Sequence, residues 1–141
     1  MSEETLRSIE LTKIGPARFK ATNARGGETF MGMGGLDPDF TPVELLLAAI
    51  AGCSAIDVDL ITAKRGESTQ FEITAAGDKV HDESGNRMSG LRLTFDVAFA
   101  EGPEGDAARE FLPRAIAMSR DRLCIVSRTV QLGADVAYEQ A

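Results

Sequence analysis

The chain has 141 residues, of which 43% are hydrophobic and 26% are charged, and its formal net charge is −7 at pH 7. This length fits a single domain over residues 1–141, and the composition provides enough apolar side chains for a core and excludes general disorder. The acidic balance, without a cluster of Lys and Arg, argues against nucleic-acid binding and against docking on an anionic membrane.

The N-terminal stretch "MSEETLRSIEL" is acidic and polar, so it lacks the basic start and the apolar stretch of a signal peptide. The longest uninterrupted apolar run is shorter than the roughly 20 residues that cross a membrane. These features predict a cytoplasmic protein without membrane association. That compartment disfavours a permanent disulfide, and one histidine with two cysteines is too few for an ordinary closed zinc site. No pattern in the sequence implies a metal or another cofactor.

Three strands are predicted before the first helix. Residues 5–13 and 17–23 have the composition of strands and are separated by a Gly-Pro turn. The turn "NARGGE" leads into a third strand at 29–33, and residues 34–40, "GGLDPDF", follow as a loop. The short connections predict an antiparallel meander.

The segment "TPVE" carries the start signal of a long helix. Thr41 is predicted as the N-cap, Pro42 as the first helical residue, and Glu44 as the acid that completes a capping box. We expect the helix to continue to about Arg65 and to end at Gly66, where the missing Cβ permits a left-handed turn.

This long helix has no clean polar face. A helix that is apolar nearly all round is buried nearly all round, and a chain of this size needs a second chain to cover it. Small residues along the helix would let another backbone approach closely. They are Ala48, Ala49, Ala51, Gly52, Ser54 and Ala55.

Residues 70–82 and 88–100 alternate in polarity around the turn "ESGNR", which predicts an antiparallel hairpin. Residues 105–122 then have the pattern of a second helix. Pro113 falls inside that segment and is expected to kink or divide it.

The last elements predicted are a short helix at "CIVSRT", 124–129, and a final strand at "VQLGADVAYE", 130–139. The order is therefore β-β-β-α-β-β-α-β, which is an α+β fold class in one domain.

Cys53 lies in the middle of the apolar helix, within "LLLAAIAGCSAIDV". Free cysteines are among the most buried residues, so plain packing accounts for this position as well as reactivity does. The start of its own helix is too far away to lower the pKa of the thiol, and Asp57, one turn on, opposes a thiolate. A reactive Cys53 therefore needs a cation from elsewhere in the chain.

Cys124 has a different sequence context. Arg120, Arg122 and Arg128 surround it in "SRDRLCIVSR", and neighbouring cations stabilise a thiolate. It also fits the role of a small apolar residue in packing. If the two cysteines meet in space, they are able to act as a peroxidatic and resolving pair.

"TPVELLLAAIAGCSAIDV" together with "LCIVSRTV" resembles the OsmC/Ohr family, the small thiol-dependent peroxidases of bacteria. The resemblance covers nearly the whole chain. It implies an intertwined homodimer whose two long helices pack centrally and whose active sites lie at the interface. It also implies that Cys53 is the peroxidatic cysteine and that Cys124 is the resolving one.

The resemblance places the activating arginine of the family at Arg25, in "NARGGE"; a solvated turn arginine is the alternative. One position departs from the pattern. The partner glutamate directly follows the helix-start proline in the peroxidase branches, whereas Val43 stands there and the acid is Glu44. One residue rotates a side chain by about 100° around a helix. We keep Glu44 as a candidate site residue in addition to its capping role. The stretch "GCSAIDV" resembles a less characterised, OsmC-like branch of the family more than the peroxidase branches.

The leading hypothesis is the reduction of organic hydroperoxides through the Cys53/Cys124 pair in oxidative-stress defence. An external dithiol, which the resemblance suggests is a lipoyl-bearing protein, would restore both thiols. Apolar side chains are candidates for a substrate wall or for core packing: Phe30, Met31, Met33 and Phe40. The alternatives are a non-peroxidase dimer that binds a small apolar ligand or a thiol, and a protein that detoxifies electrophiles. The distance between the two sulfurs distinguishes a redox pair from a binding module.

Overall fold

A computed structural model describes residues 5–141, and residues 1–4 of the acidic start lie outside the described residues. The first sheet has the antiparallel order β1-β2-β3, formed by β1 (Glu10–Gly15), β2 (Arg18–Thr22) and β3 (Glu28–Met31). The meander is therefore confirmed. β1 starts later than predicted because Glu10 pairs with Thr22, the last residue of β2, so the residues before Glu10 have no β2 partner.

The turn between β2 and β3 is organised by one side chain. The Asn23 Oδ1 atom accepts hydrogen bonds from the backbone N–H groups of Arg25, at 3.0 Å, and Gly27, at 2.8 Å. Gly26 adopts a φ of 90°, which favours glycine. This local bonding places Arg25 at the exposed end of the hairpin.

Helix α1 (Pro42–Ala63) begins with the predicted capping box. The Thr41 N–H donates to Glu44 Oε1 at 2.8 Å, and the Glu44 N–H donates to Thr41 Oγ1 at 3.1 Å. Two backbone donors at the helix start are thereby satisfied.

The end of α1 differs from the prediction. The helix stops at Ala63, and Gly66 has no left-handed φ. Its N–H instead donates to Thr62 O at 3.1 Å, and a Cβ atom at this position would lie 2.8 Å from the carbonyl oxygen of Glu104. Gly66 is thus required by the close approach of another backbone segment.

The predicted hairpin is confirmed and is longer than expected. β4 (Ser68–Asp82) and β5 (Gly85–Phe99) pair in an antiparallel two-stranded sheet. Gly85, with a φ of 110°, follows the two-residue connection. Side chains alternate between more exposed and less exposed over residues 70–75 of β4 and 90–97 of β5, as expected from the polarity pattern.

Helix α2 (Pro103–Met118) continues through Pro113, so this proline does not divide the helix, whereas a kink there stays a prediction. The interruption falls after Met118, in a π-helical turn at Ser119–Leu123. Helix α3 (Ile125–Leu132) then confirms the short helix expected there.

The predicted final strand is wrong. Its first residues form the last turn of α3, because Val126 and Val130 are one helical turn apart and the Gly133 N–H donates to Thr129 O at 2.9 Å. Residues 133–141 are exposed and have no regular secondary structure. The α+β class is confirmed, with the order β-β-β-α-β-β-α-α among the described residues.

The chain divides into two compact units, Met1–Leu46 and Leu47–Ala141, with the boundary inside α1. A single domain over 1–141 therefore stays a prediction. The core of the second unit contains fully buried apolar side chains at Val58, Ala108 and Ala115.

Helix α1 is long and apolar enough, by length and composition, to cross a membrane, which corrects the expectation that no segment reaches that size. One such helix is weak support for a membrane span, because the core helix of a soluble protein passes the same test.

Candidate functional site

One face of α1 positions the first cysteine. Ile50, Ser54, Val58 and Thr62 are buried at intervals of four residues, as expected for one stripe of a helix. Cys53 and Asp57 lie one turn apart beside this stripe, and both are half-buried.

The π-helical turn positions the second cysteine. The Cys124 N–H donates to Ser119 O at 3.0 Å, five residues back, which closes the wide turn. Cys124 is fully buried and caps α3, because its Sγ atom accepts a hydrogen bond from the Ser127 N–H at 3.3 Å. The turn that interrupts the helical chain therefore also orients a thiol.

Helix α1 and the π-helical turn bring two thiols and a carboxylate together. The Sγ atoms of Cys53 and Cys124 and a carboxylate oxygen of Asp57 all lie within 4.8 Å of one another. The cysteines are distant in the sequence and adjacent in the fold. This proximity favours the redox-pair interpretation over two separate packing residues.

A hydroxyl network holds the carboxylate. The Ser119 Oγ atom lies 2.9 Å from Asp57 Oδ2 and 3.2 Å from the Ser54 Oγ atom. Ser54 and Ser119 are both buried, so their hydroxyl groups depend on partners inside the protein. Asp57 is thus kept in one orientation beside the thiols.

The environment of Cys53 contains opposing effects. Burial raises the pKa of the Cys53 thiol, and the Cys124 thiol and the Asp57 charge raise it further, whereas the backbone N–H of Val126 lowers it. The net direction is upward. Val126 belongs to the first turn of α3, so the start of a second helix lowers this pKa, although the start of α1 is far from Cys53.

The other predicted site residues lie in the first unit. Arg25 is exposed in the β2–β3 turn, and the Glu44 carboxylate bonds to the Thr41 N–H as the capping acid. Their proximity to Cys53 stays a prediction. Near Cys124, the guanidinium of Arg120 pairs with Asp121 at 2.7 Å between Nε and Oδ1.

Each unit contains a depression of its own. In the first unit, a groove of about 480 Å³ includes Met31 and Met33 from the predicted apolar wall. In the second, a cavity of about 390 Å³ adjoins the thiol site through Ser54 and Ser127. Its other walls come from α1, β5, α2, the π-helical turn and α3: Leu47, Ile50, Leu91, Arg92, Leu93, Phe95, Ile116, Arg120, Val130 and Gln131.

Sequence reasoning missed the groups that surround the thiols. No sequence motif marks Ser119. The N–H groups of Val126 and Ser127 were also missed, because cysteine is not a preferred N-cap residue and Cys124 therefore does not indicate a helix start. The sequence indicates Asp57 only as a charge that opposes a thiolate. The spacing of Cys124 and Ser127, which matches a cap and its third helical residue, is the one available indication.

Residues 34–139 match the family model described as OsmC-like protein. The chain belongs to the OsmC-like family. An uncharacterised protein of Mycobacterium tuberculosis is 27% identical to it over 135 residues, which cover 95% of this chain and 96% of the relative.

Solved structures of the family share the fold. An OsmC-like protein of unknown function from Vibrio cholerae superposes with a TM-score of 0.74 at 16% identity, over 93% of this chain and 95% of that one. A Legionella pneumophila protein, named as an organic hydroperoxide resistance protein OsmC, superposes with a TM-score of 0.58 at 14% identity, over 90% of this chain and 91% of that one. The OsmC-like fold predicted from the sequence is thereby confirmed.

Proposed function

We propose that this protein reduces organic hydroperoxides with a pair of cysteines and takes part in oxidative-stress defence in the cytoplasm. The observation that carries the proposal is the approach of the Cys53 and Cys124 sulfurs to within 4.8 Å beside the first turn of α3. Membership of the OsmC-like family supports the same chemistry, as does the name of the Legionella protein, an organic hydroperoxide resistance protein.

Cys53 takes the peroxidatic role because it is half-buried, whereas Cys124 is fully buried and out of reach of an external substrate. The Cys53 thiol loses its proton, and the thiolate attacks the distal oxygen of the hydroperoxide. The O–O bond breaks, the sulfur becomes a sulfenic acid, and the leaving alkoxide takes up a proton as an alcohol.

Cys124 then resolves the sulfenic acid. Its sulfur attacks the Cys53 sulfur, a disulfide forms, and the sulfenic oxygen leaves as water. To form the bond, the two sulfurs move from within 4.8 Å of one another to about 2.05 Å. An external dithiol, which we expect to be a lipoyl-bearing protein, reduces the disulfide and restores both thiols.

A cation beside Cys53 completes the proposal. The Val126 N–H alone leaves the pKa of Cys53 raised, so a guanidinium is needed to favour the thiolate. We assign this role to Arg25, with Glu44 as the candidate carboxylate that orients it while capping α1.

We also propose that the protein is a homodimer. Ile56 and Leu60, one turn apart on α1, are 62% and 63% exposed in the single chain. A central helix with such side chains in water gains from a second copy that covers them. Light scattering across a dilution series is expected to give the mass of two chains.

The test is a peroxidase assay on the reduced protein, with an organic hydroperoxide and hydrogen peroxide compared, and with a lipoyl dithiol compared with a monothiol. We expect faster turnover with the organic substrate and the dithiol, and no consumption by Cys53→Ser. The Cys53→Ser/Cys124→Ser double variant controls for uncatalysed reaction. Full turnover by Cys53→Ser would reject the mechanism.

The 390 Å³ cavity beside the site supports a second candidate, a module that binds a small apolar ligand or detoxifies an electrophile. Ligand binding or Cys53 alkylation without peroxide turnover would favour that function.

A further inference from the structure

We propose that the reduced site binds one thiophilic divalent metal ion of the zinc type through Cys53, Asp57 and Cys124, and that disulfide formation expels it. The ordinary closed zinc site considered from the sequence has four protein ligands. The arrangement inferred here has three, with a fourth position left for water or another small ligand.

The separations of the ligand atoms fit such an ion. A tetrahedral zinc ion with Zn–S bonds of about 2.3 Å holds two sulfurs about 3.8 Å apart, and a carboxylate oxygen lies slightly closer to each sulfur. The two Sγ atoms and the Asp57 oxygen already lie within 4.8 Å of one another. Side-chain movements of about an ångström are therefore enough to close the site around an ion.

The donor set is selective. Two thiolates favour zinc and other soft ions over magnesium or calcium, which prefer oxygen ligands alone. The carboxylate of Asp57 is a regular third ligand of zinc. A divalent ion also offsets the negative charges that burial otherwise penalises at this position.

Each ligand has an outer partner that orients it. The Ser119 hydroxyl bonds to Asp57 Oδ2 at 2.9 Å, and the Ser127 N–H bonds to Cys124 Sγ at 3.3 Å. The backbone N–H of Val126 acts on the Cys53 thiol and lowers its pKa. Such outer partners are typical of metal sites, where they hold the ligands in place and tune their basicity. This support distinguishes the cluster from a chance meeting of three side chains.

The consequence for regulation rests on the proposed function. A bound ion occupies both thiolates, so it slows the reaction of Cys53 with peroxide. When a hydroperoxide does react, two thiolates, one hydroperoxide and two protons give a disulfide, an alcohol and water, and the ion is released. Metal occupancy would then set the fraction of protein that is ready to react.

The test uses the full chain without an affinity tag, reduced and kept under anaerobic conditions. Co²⁺ titration is expected to produce thiolate-to-cobalt charge-transfer absorption that saturates at one ion per chain, and Zn²⁺ is expected to displace the cobalt. Cys53→Ser and Cys124→Ser should each weaken that absorption. A titration without charge transfer would overturn the proposal.

Asp57→Asn keeps the shape of the side chain and is expected to weaken Zn²⁺ binding about a hundredfold. Asp59→Asn is the matched control, because it removes the same charge from an exposed position on the same helix. Ser119→Ala should weaken binding by about tenfold through loss of the oriented carboxylate. Equal affinities of Asp57→Asn and the parent would exclude Asp57 as a ligand and overturn the proposed site.

Oxidation with diamide separates this proposal from the peroxidase. The disulfide form is expected to bind no cobalt at the site, and reduction should restore binding. Tight binding by the oxidised protein would overturn the proposal whether or not the protein turns over peroxide. Cobalt binding that is lost on oxidation, in a protein that consumes no peroxide once the metal is removed, would reject the proposed function and support the metal site.

Discussion

The starts of α1 and α3 use the same local hydrogen bond with different atoms. At α1, the Thr41 Oγ1 atom accepts from the Glu44 N–H at 3.1 Å; at α3, the Cys124 Sγ atom accepts from the Ser127 N–H at 3.3 Å. An oxygen at this position only stabilises the helix. A sulfur at the same position is also held in a fixed direction, as the proposed redox role of Cys124 requires.

The two caps differ in what else supports them. Glu44 returns a hydrogen bond to the Thr41 N–H, so the α1 cap is complete within four residues. The Cys124 N–H instead bonds to Ser119 O in the π-helical turn, and the Cys124 side chain is fully buried. The α3 cap thus depends on packing, and packing is what brings Cys53 beside it.

The largest effect expected from this comparison is on peroxide turnover. Cys124→Ser keeps a capping atom but removes the resolving thiol, so peroxide consumption should stop after one turnover. A sulfenic acid should then remain on Cys53, detectable by mass after dimedone labelling. Continued turnover with a dithiol reductant would show that Cys124 is not required for resolution.

The next largest effect concerns the charge around the Cys53 sulfur. If a guanidinium offsets burial, Arg25→Ala raises the pKa of Cys53 and slows its reaction with peroxide, and Arg25→Lys restores part of the rate. The pH dependence of Cys53 alkylation measures this, with Arg87→Ala as a control that removes an arginine from the β4–β5 hairpin. Coincident curves would leave Arg25 as a turn residue only.

A smaller effect is expected on stability, where the α1 cap and the α3 cap should contribute different free energies of unfolding. Thr41→Ala removes a capping atom and should lower the free energy of unfolding by about 1 kcal/mol. Cys124→Ala should lower it by more, because it removes a capping atom and also leaves a small cavity in the core. Thr41→Ser is the control, and urea unfolding at one fixed protein concentration is the measurement. A larger loss for Thr41→Ala would reverse the comparison.

The smallest effect is electrostatic. The Asp57 charge contributes to the raised pKa of Cys53 after burial and the Cys124 thiol. Asp57→Asn should therefore lower that pKa, so that the thiolate forms at lower pH and alkylation of the metal-free protein speeds up near neutral pH. Asp59→Asn should leave the curve unchanged. A shift to higher pH would mean that Asp57 supports the thiolate.

The sequence by itself predicted the elements whose bonds are local. The capping box at Thr41, the hairpin around the turn at residues 83 and 84, and the short helix after Cys124 follow from interactions within a few residues. The resemblance to the OsmC/Ohr family added the pairing of Cys53 with Cys124. Local patterns are sufficient for the capping box, the hairpin and the short helix, because capping and turn formation depend on neighbouring residues.

Only the tertiary structure decided the rest. The apolar alternation after residue 130 does not form a strand, because Val130 continues the helical face of Val126 and Gly133 ends that helix. Gly66 is explained by a backbone segment that approaches from Glu104. The Val126 N–H beside Cys53, and the Ser119 hydroxyl on Asp57, join residues more than 60 positions apart. Such contacts depend on how the helices pack, which no local spacing determines.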